Sequence, residues 1–362
     1  MTRACQAARP HRPSLKSCPD AVFLTPLTSP QKLGDILGTS GDRNELLGEA
    51  LDGRYRLDKR IGLGGSGVVF EATPLAQSAA PVAVKMLRDC FAAHTDLARR
   101  LRREAEVARS VGHPGIVPVL DEGTLFDGSP YFVMPRLYGE TLARLLMRTR
   151  LLPVEQVAMI AIRVASILHS AHCAGYTHRD VKPEHILLNR SRAGDLVVYL
   201  MDFGVCATAD AGADERKLEQ GKVFGTPSYA SPEQAAGSPD VDGRADLFSL
   251  GVVMYEALTG QLPFRGTSVA TLLLRIIRED APRVRDSVPR IDAEMDAIVA
   301  TLLAREPDRR LPSARALGRA LMPHADNRRR IEREIARRLN VTSHSTDHAP
   351  TARNDQARAA VG

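Results

Sequence analysis

No run of about 18 apolar residues occurs in this 362-residue chain, so no membrane-spanning helix is expected. The most apolar helical stretch, residues 157–168, is interrupted by Arg163. Cysteines are few, odd in number and scattered, at Cys5, Cys18, Cys90, Cys173 and Cys206, with neither CxxC nor metal-ligand spacing. That argues against a disulfide framework and a structural zinc site, and a reduced cytoplasmic protein is the simplest reading. Internal repeats are missing. Residues 1–19 hold no acidic side chain, a faint likeness to a targeting peptide, yet the apolar run at 21–24 is too short for a signal-peptide core. The formal net charge of +6 lies mostly in the two ends. No recognisable nucleic-acid module carries it, so no nucleic-acid partner is expected.

What remains is ordinary for a globular chain: 44% hydrophobic and 25% charged residues, long enough for two or three compact units. Residues 1–51, rich in Pro, Arg, Ser and Gly, read as a disordered tail. Residues 55–84 alternate and are rich in β-branched residues and glycine, which predicts three strands joined by turns. Residues 96–111 carry Leu97, Leu101, Ala105 and Ala108 at helical spacing. Strands are predicted at 116–120 and 131–134. Helices then dominate, at 153–174, 244–259, 269–279, 293–304 and 313–321, interrupted by short strands at 186–188 and 196–201. A small sheet-rich part thus precedes a larger helical part, an α+β chain with two lobes. Residues 323–362 read as a charged tail, helical near 327–339 with Ile331, Ile335 and Leu339 as its apolar stripe, then disordered. Residues 50–325 are expected to suffice for folding and function.

The chemistry-bearing residues begin with Gly62, Gly64 and Gly67, a GxGxxG pattern flanked by Ile61 and filled by Leu63, Gly65 and Ser66. Alone the pattern is weak, because dinucleotide-binding domains share it. Here the text after Gly67 continues as a strand, so the glycines sit in a hairpin. Such a tip can lie over phosphates and donate backbone N–H groups. Val82, Ala83, Val84 and Lys85 then form a strand ending in a lysine. A lysine buried along such a strand needs a carboxylate, and Glu104, on the apolar stripe of the next helix, is the candidate. The most specific block is His178, Arg179, Asp180, Val181 and Lys182, followed by Asp202, Phe203 and Gly204.

With these motifs in this order, residues 52–322 resemble the eukaryotic-type protein kinase family, especially its bacterial serine/threonine branch. Gly225, Thr226 and Pro227 with Ser231, Pro232 and Glu233 fit it, as do the run from Asp246 to Gly251 and the Asp308, Arg309, Arg310 block. The resemblance implies a bilobal kinase-like fold and transfer of the γ-phosphoryl group of ATP to Ser/Thr hydroxyls of protein substrates in bacterial signalling. It implies Asp180 as catalytic base, Lys182 on the γ-phosphate, Lys85 on the α- and β-phosphates with Glu104 behind it, and Asp202 on Mg²⁺. Val69, Ala83 and Leu187 would sandwich the adenine. Met134 would stand at the back of that pocket, and Pro135 and Leu137 would offer a carbonyl and an N–H to its edge. Glu233 and Arg310 would form a structural ion pair.

Two departures stand out. The family usually has Asn, a metal ligand, five residues after the catalytic Asp, and here that residue is His185. Imidazole at that place opens the site to Mn²⁺ as well as Mg²⁺, with metal binding expected to fail below about pH 6.5. Residues 209–225 contain no Ser, Thr or Tyr, so activation by phosphorylation within them is not expected. The rival class is a nucleotide-binding pseudokinase, for which His185 is the one supporting residue.

Overall fold

The structure, a computed structural model, describes residues 42–76, 80–191, 193–205, 207–208 and 226–339. The small lobe is one antiparallel sheet of β1 (Ala50–Leu51), β2 (Tyr55–Leu63), β3 (Gly67–Pro74), β4 (Val82–Leu87), β5 (Asp121–Thr124) and β6 (Pro130–Pro135). Its spatial order is β1-β2-β3-β4-β6-β5. The period of two decides which face is buried. Val68, Phe70 and Ala72 of β3 are fully buried with Leu57, Val84, Met86 and Val133. Helix α1 (Thr95–Ser110) packs Leu101 and Ala105 onto Leu87 and Phe132 on the other face.

The large lobe comprises β7 (Gly139–Thr141), α2 (Leu142–Thr149), α3 (Val154–Cys173), β8 (Tyr176–Thr177), β9 (Ile186–Arg190), β10 (Leu196–Leu200) and β11 (Ala207–Thr208). Helices α4 (Gly243–Thr259), α5 (Val269–Arg278), α6 (Ala293–Leu302), α7 (Ala314–Leu321) and α8 (Arg328–Arg338) complete it. Strands β10, β9 and β7 form a small antiparallel sheet, and β11 pairs with β8. Helix α3 is long and apolar enough to cross a membrane by length and composition alone. Its Val157, Met159, Ile160, Val164, Ile167 and Leu168 instead lie in the centre of the large-lobe core.

Three expectations need correction. Residues 116–120 are not a strand. Pro114 and Pro118 have no N–H to give, pairing begins with Leu120 N–H on Val133 O (2.8 Å), and the strand is the polar segment Asp121–Thr124. Its backbone pairs with β6 although its side chains show no apolar alternation. Residues 42–51, expected within a disordered tail, are packed: Arg43 is fully buried, and Leu46 and Leu51 join the small-lobe core. Residues 1–41 and 340–362 lie outside the described residues.

Packing also continues past residue 322. Ile331 and Ile335 on α8, and Leu339 just past its end, are buried in the large-lobe core, and Glu332 is salt-bridged to Arg163 of α3. Each such apolar side chain contributes roughly 1.5–3 kcal/mol when fully buried. A chain ending at residue 325 is therefore expected to melt several degrees below one ending at 339, since ~1 kcal/mol moves a domain of this size by about 2–4 °C. Calorimetry of the two chains checks this, and equal melting temperatures would show that α8 adds nothing to the core.

Candidate active site

The glycine segment forms the tip between β2 and β3. Gly64 N–H donates to Gly67 O at 2.8 Å, closing a tight turn. A Cβ on Gly67 would lie 3.3 Å from Met86 O, so the turn sits directly on β4. Ile61, Gly62 and Leu63 end β2, Gly65 and Ser66 form the turn, and Val69 follows on β3 opposite Lys85. Ala83 is buried on β4 opposite Met134, and Pro135 closes β6 opposite Val82. Leu137 follows in the link to β7. Leu187, on β9, packs beneath Gly139, where a Cβ would come within 2.9 Å of it. The seven residues of the glycine hairpin thus form the β2–β3 tip, and the six apolar positions lie on β3, β4, β6, the link to β7 and β9.

Lys85 reaches from the middle of the sheet to α1, where its Nζ donates to both oxygens of Glu104 at 2.8 Å. It also contacts Asp202 Oδ1. Burial would lower the lysine pKa, but Asp202 and Glu104 together hold it well above its ordinary value. Burial pushes Glu104 up to about 7, with Asp202 adding to the rise and Lys85 opposing it. Burial would raise Asp202 too, yet the Lys85 ammonium and His185 keep it well below the carboxylate range. Lys85 is therefore a fixed cation joining the two lobes.

Asp180 lies below on the loop between β8 and β9. Its Oδ2 accepts from Lys182 Nζ at 2.8 Å and its Oδ1 from Thr226 N–H at 3.0 Å. Lys182 also donates to Thr226 Oγ1 at 2.8 Å. Buried scaffolding fixes this loop. Fully buried Asp246 on α4 accepts the backbone N–H groups of His178 and Arg179, both at 2.8 Å, and meets His172 Nε2 at 2.8 Å. These contacts permit left-handed backbone at Arg179 (φ 65°), as Asp202 also shows (φ 64°). The His178 ring packs on Phe203, with centroids 4.5 Å apart, and its Nε2 donates to Met201 O at 3.0 Å. Asp246 and Thr226 were visible as motif members but carried no assigned role. The signal for Asp246 was a carboxylate heading an otherwise apolar helix, where burial demands donors.

His185 lies between the two aspartates. Its Nδ1 is 2.9 Å from the Asp180 carbonyl, which can only accept, so Nδ1 carries the proton. Nε2 then presents its lone pair 3.2 Å from Asp202 Oδ2. This N,O donor pair fits a divalent metal. Burial lowers the His185 pKa from 6.5 to about 4 despite both aspartates. The imidazole thus stays neutral well below the pH 6.5 limit expected from a free histidine. Protonation is suppressed by folding, so its contribution to stability is complete above pH 6.5 and is lost as pH falls toward 4. At about 1.4 kcal/mol per pKa unit, a few kcal/mol are involved. Metal-free protein should lose stability over that window, and His185→Asn should flatten the loss. Identical pH–stability curves for the two would refute the buried neutral ring.

Glu233 and Arg310 form a bidentate pair, both contacts 2.7 Å, with the Arg310 side chain fully buried over Phe248. This anchors the segment after Thr226 to α4. Residues 209–225 lie outside the described residues.

Comparison with known proteins agrees with this geometry. The protein kinase domain model matches residues 55–322. The serine/threonine-protein kinase pkn3 of Myxococcus xanthus is 35% identical over 305 residues, covering 83% of this chain and 55% of that protein. The serine/threonine-protein kinase PknJ of Mycobacterium tuberculosis is 36% identical over 278 residues, covering 75% of this chain and 45% of PknJ. The crystal structure of the Mycobacterium tuberculosis PknI kinase domain superposes with a TM-score of 0.58 at 29% identity, covering 77% of this chain and 98% of that one. The chain spans about half or less of the length of these curated relatives. The sheet-rich lobe, the Lys85–Glu104 pair, the Asp180 loop and a family match over most of the chain lead to one conclusion: this chain belongs to the protein kinase domain family.

Proposed function

We propose that this chain is an ATP-dependent serine/threonine protein kinase acting in bacterial intracellular signalling. The observation that carries the reading is the convergence of Lys85, Glu104, Asp180, Lys182 and Asp202, each held by a named partner. ATP and a divalent cation supply the phosphoryl group and the charge that neutralises it, and Mg²⁺ or Mn²⁺ fits the donors present. Val69, Ala83 and Leu187 enclose the adenine, with Met134 behind it and Pro135 O and Leu137 N–H at its edge. Ile61 to Gly67 covers the phosphates with backbone N–H groups. Lys85, oriented by Glu104, holds the α- and β-phosphates, and Asp202 with His185 holds the metal.

Asp180 orients the substrate hydroxyl and accepts its proton. Lys182, already on that carboxylate, neutralises charge on the γ-phosphate, and its contact with Thr226 Oγ1 ties the pair to the segment that would seat the acceptor residue. Lysine two residues after the catalytic aspartate, and threonine at 226, favour a serine or threonine acceptor over tyrosine. The substrates are proteins, and the scattered spacing of the cysteines supports a cytoplasmic setting.

The rival reading is a nucleotide-binding pseudokinase. His185 supports it only if the imidazole blocks the metal, whereas its lone pair faces Asp202. The test is incorporation of labelled γ-phosphate into a generic basic protein, with Asp202→Ala as control. Incorporation that disappears in the control supports the enzyme. ATP binding without incorporation under either metal would establish the pseudokinase.

A further inference from the structure

We infer that residues 42–46, ahead of the family-matched segment, form a clasp that positions the glycine hairpin. The inference rests on reading that hairpin as the phosphate cover.

Asp42 is 2% exposed and Arg43 is 0% exposed. Charges so buried stay folded only when paired. Asp42 Oδ1 accepts from Arg88 Nε at 2.9 Å, and its Oδ2 lies 3.6 Å from Arg60 Nη1. Arg43 Nε donates to Leu87 O at 2.8 Å, and its Nη2 donates to Asp127 Oδ2 at 2.8 Å and Ser129 Oγ at 2.9 Å.

The targets of these contacts matter. Arg88 N–H donates to Ser66 O, at the tip of the hairpin, at 3.0 Å. Leu87 is the ladder partner of Gly67. Arg60 is the last residue of β2 before the ladder slips register on its way to Gly62. The clasp therefore grips one residue on the strand entering the hairpin, the last residue of the strand that supports its tip, and the residue after it. Glycines lose more conformational freedom on ordering than any other residue, so a glycine-rich tip binds phosphate well only if something else fixes its base. Asp127, at the far end of the clasp, ties it to the β5–β6 turn, away from the site.

The clasp acts on the hairpin and not on Lys85, Asp180 or Asp202. Its loss should weaken ATP binding and leave the phosphoryl-transfer step intact. Asp42→Asn in the full chain keeps shape and an acceptor for Arg88 but removes the charge. We expect the ATP KM to rise about three- to tenfold with kcat within about twofold. Arg88→Gln should raise KM similarly, and the double variant should add little, because both remove one interaction. Asp42→Glu should recover part of the loss.

Amide hydrogen exchange at Gly64, Gly65 and Gly67 should quicken in Asp42→Asn, a readout needing neither ATP nor turnover. If the wild type fails to bind ATP, the phosphate-cover reading falls while the exchange data still decide the clasp. Unchanged exchange at the three glycines would overturn it. So would independent, multiplying effects of the Asp42 and Arg88 variants, or a lowered melting temperature with unchanged KM, which marks a purely structural role.

Discussion

Replacing Asp180 by asparagine is expected to lower kcat by about 10²–10⁴-fold, the usual loss for a positioned acid–base group, with little change in ATP affinity. The geometry makes the substitution sharp. The carboxylate takes Lys182 on one oxygen and Thr226 N–H on the other. Asparagine can accept on only one side, so its amide NH₂ must face a donor, either the ammonium or the peptide N–H. The hydroxyl-orienting oxygen is lost, and so is the pairing that holds Lys182. None of the residues proposed to hold adenine or the α- and β-phosphates touches Asp180, so ATP binding measured by titration should persist. The melting temperature serves as control, since a buried donor facing a donor costs about 1–3 kcal/mol without unfolding the domain. Near-normal turnover in a folded variant would remove Asp180 from its assigned role.

The sequence disclosed this site because its chemistry is local. The hairpin glycines, the strand lysine and the two aspartate loops each occupy a few consecutive residues, and their types are forced by what they do. Glu104 was legible as a carboxylate on an apolar stripe. Asp246 was harder to read, because two of its partners are backbone N–H groups of residues 178 and 179 and the third is His172, all far away in sequence. The strand Asp121–Thr124 was missed for the opposite reason: it lies at the sheet edge and pairs through its backbone alone. At the N-terminal end low hydrophobicity was taken for lack of packing, whereas the helix expected near residues 327–339 is present with its apolar stripe buried. Asp42 and Arg43 are buried as paired charges, which composition counts as polar. The short stripe of α8 suffices because α3 offers it a ready surface. The His185 pH limit was read from free-histidine behaviour, which leaves out the burial that lowers its pKa to about 4.

His185 carries the second large expectation. With Nδ1 committed to the Asp180 carbonyl, Nε2 and Asp202 Oδ2 form a ready N,O pair for a cation. Magnesium prefers hard oxygen ligands in near-ideal octahedral geometry, whereas manganese accepts imidazole more readily. The wild type should therefore turn over faster with Mn²⁺ than with Mg²⁺, by about tenfold, a preference needing only ~1.4 kcal/mol of differential binding. His185→Asn replaces nitrogen by a carbonyl oxygen and should gain activity with Mg²⁺ while losing the manganese preference. Because the buried ring stays neutral, that preference should hold from neutral pH down to about pH 5. Mn²⁺ affinity in the presence of nucleotide, followed by electron paramagnetic resonance, reads the same ligand without relying on turnover, and should weaken in the variant. If Mn²⁺ binding is unchanged, Mg²⁺ turnover does not rise and the wild type shows no metal preference, then His185 is a structural link between Asp180 and the strand that follows, and Asp202 alone holds the metal.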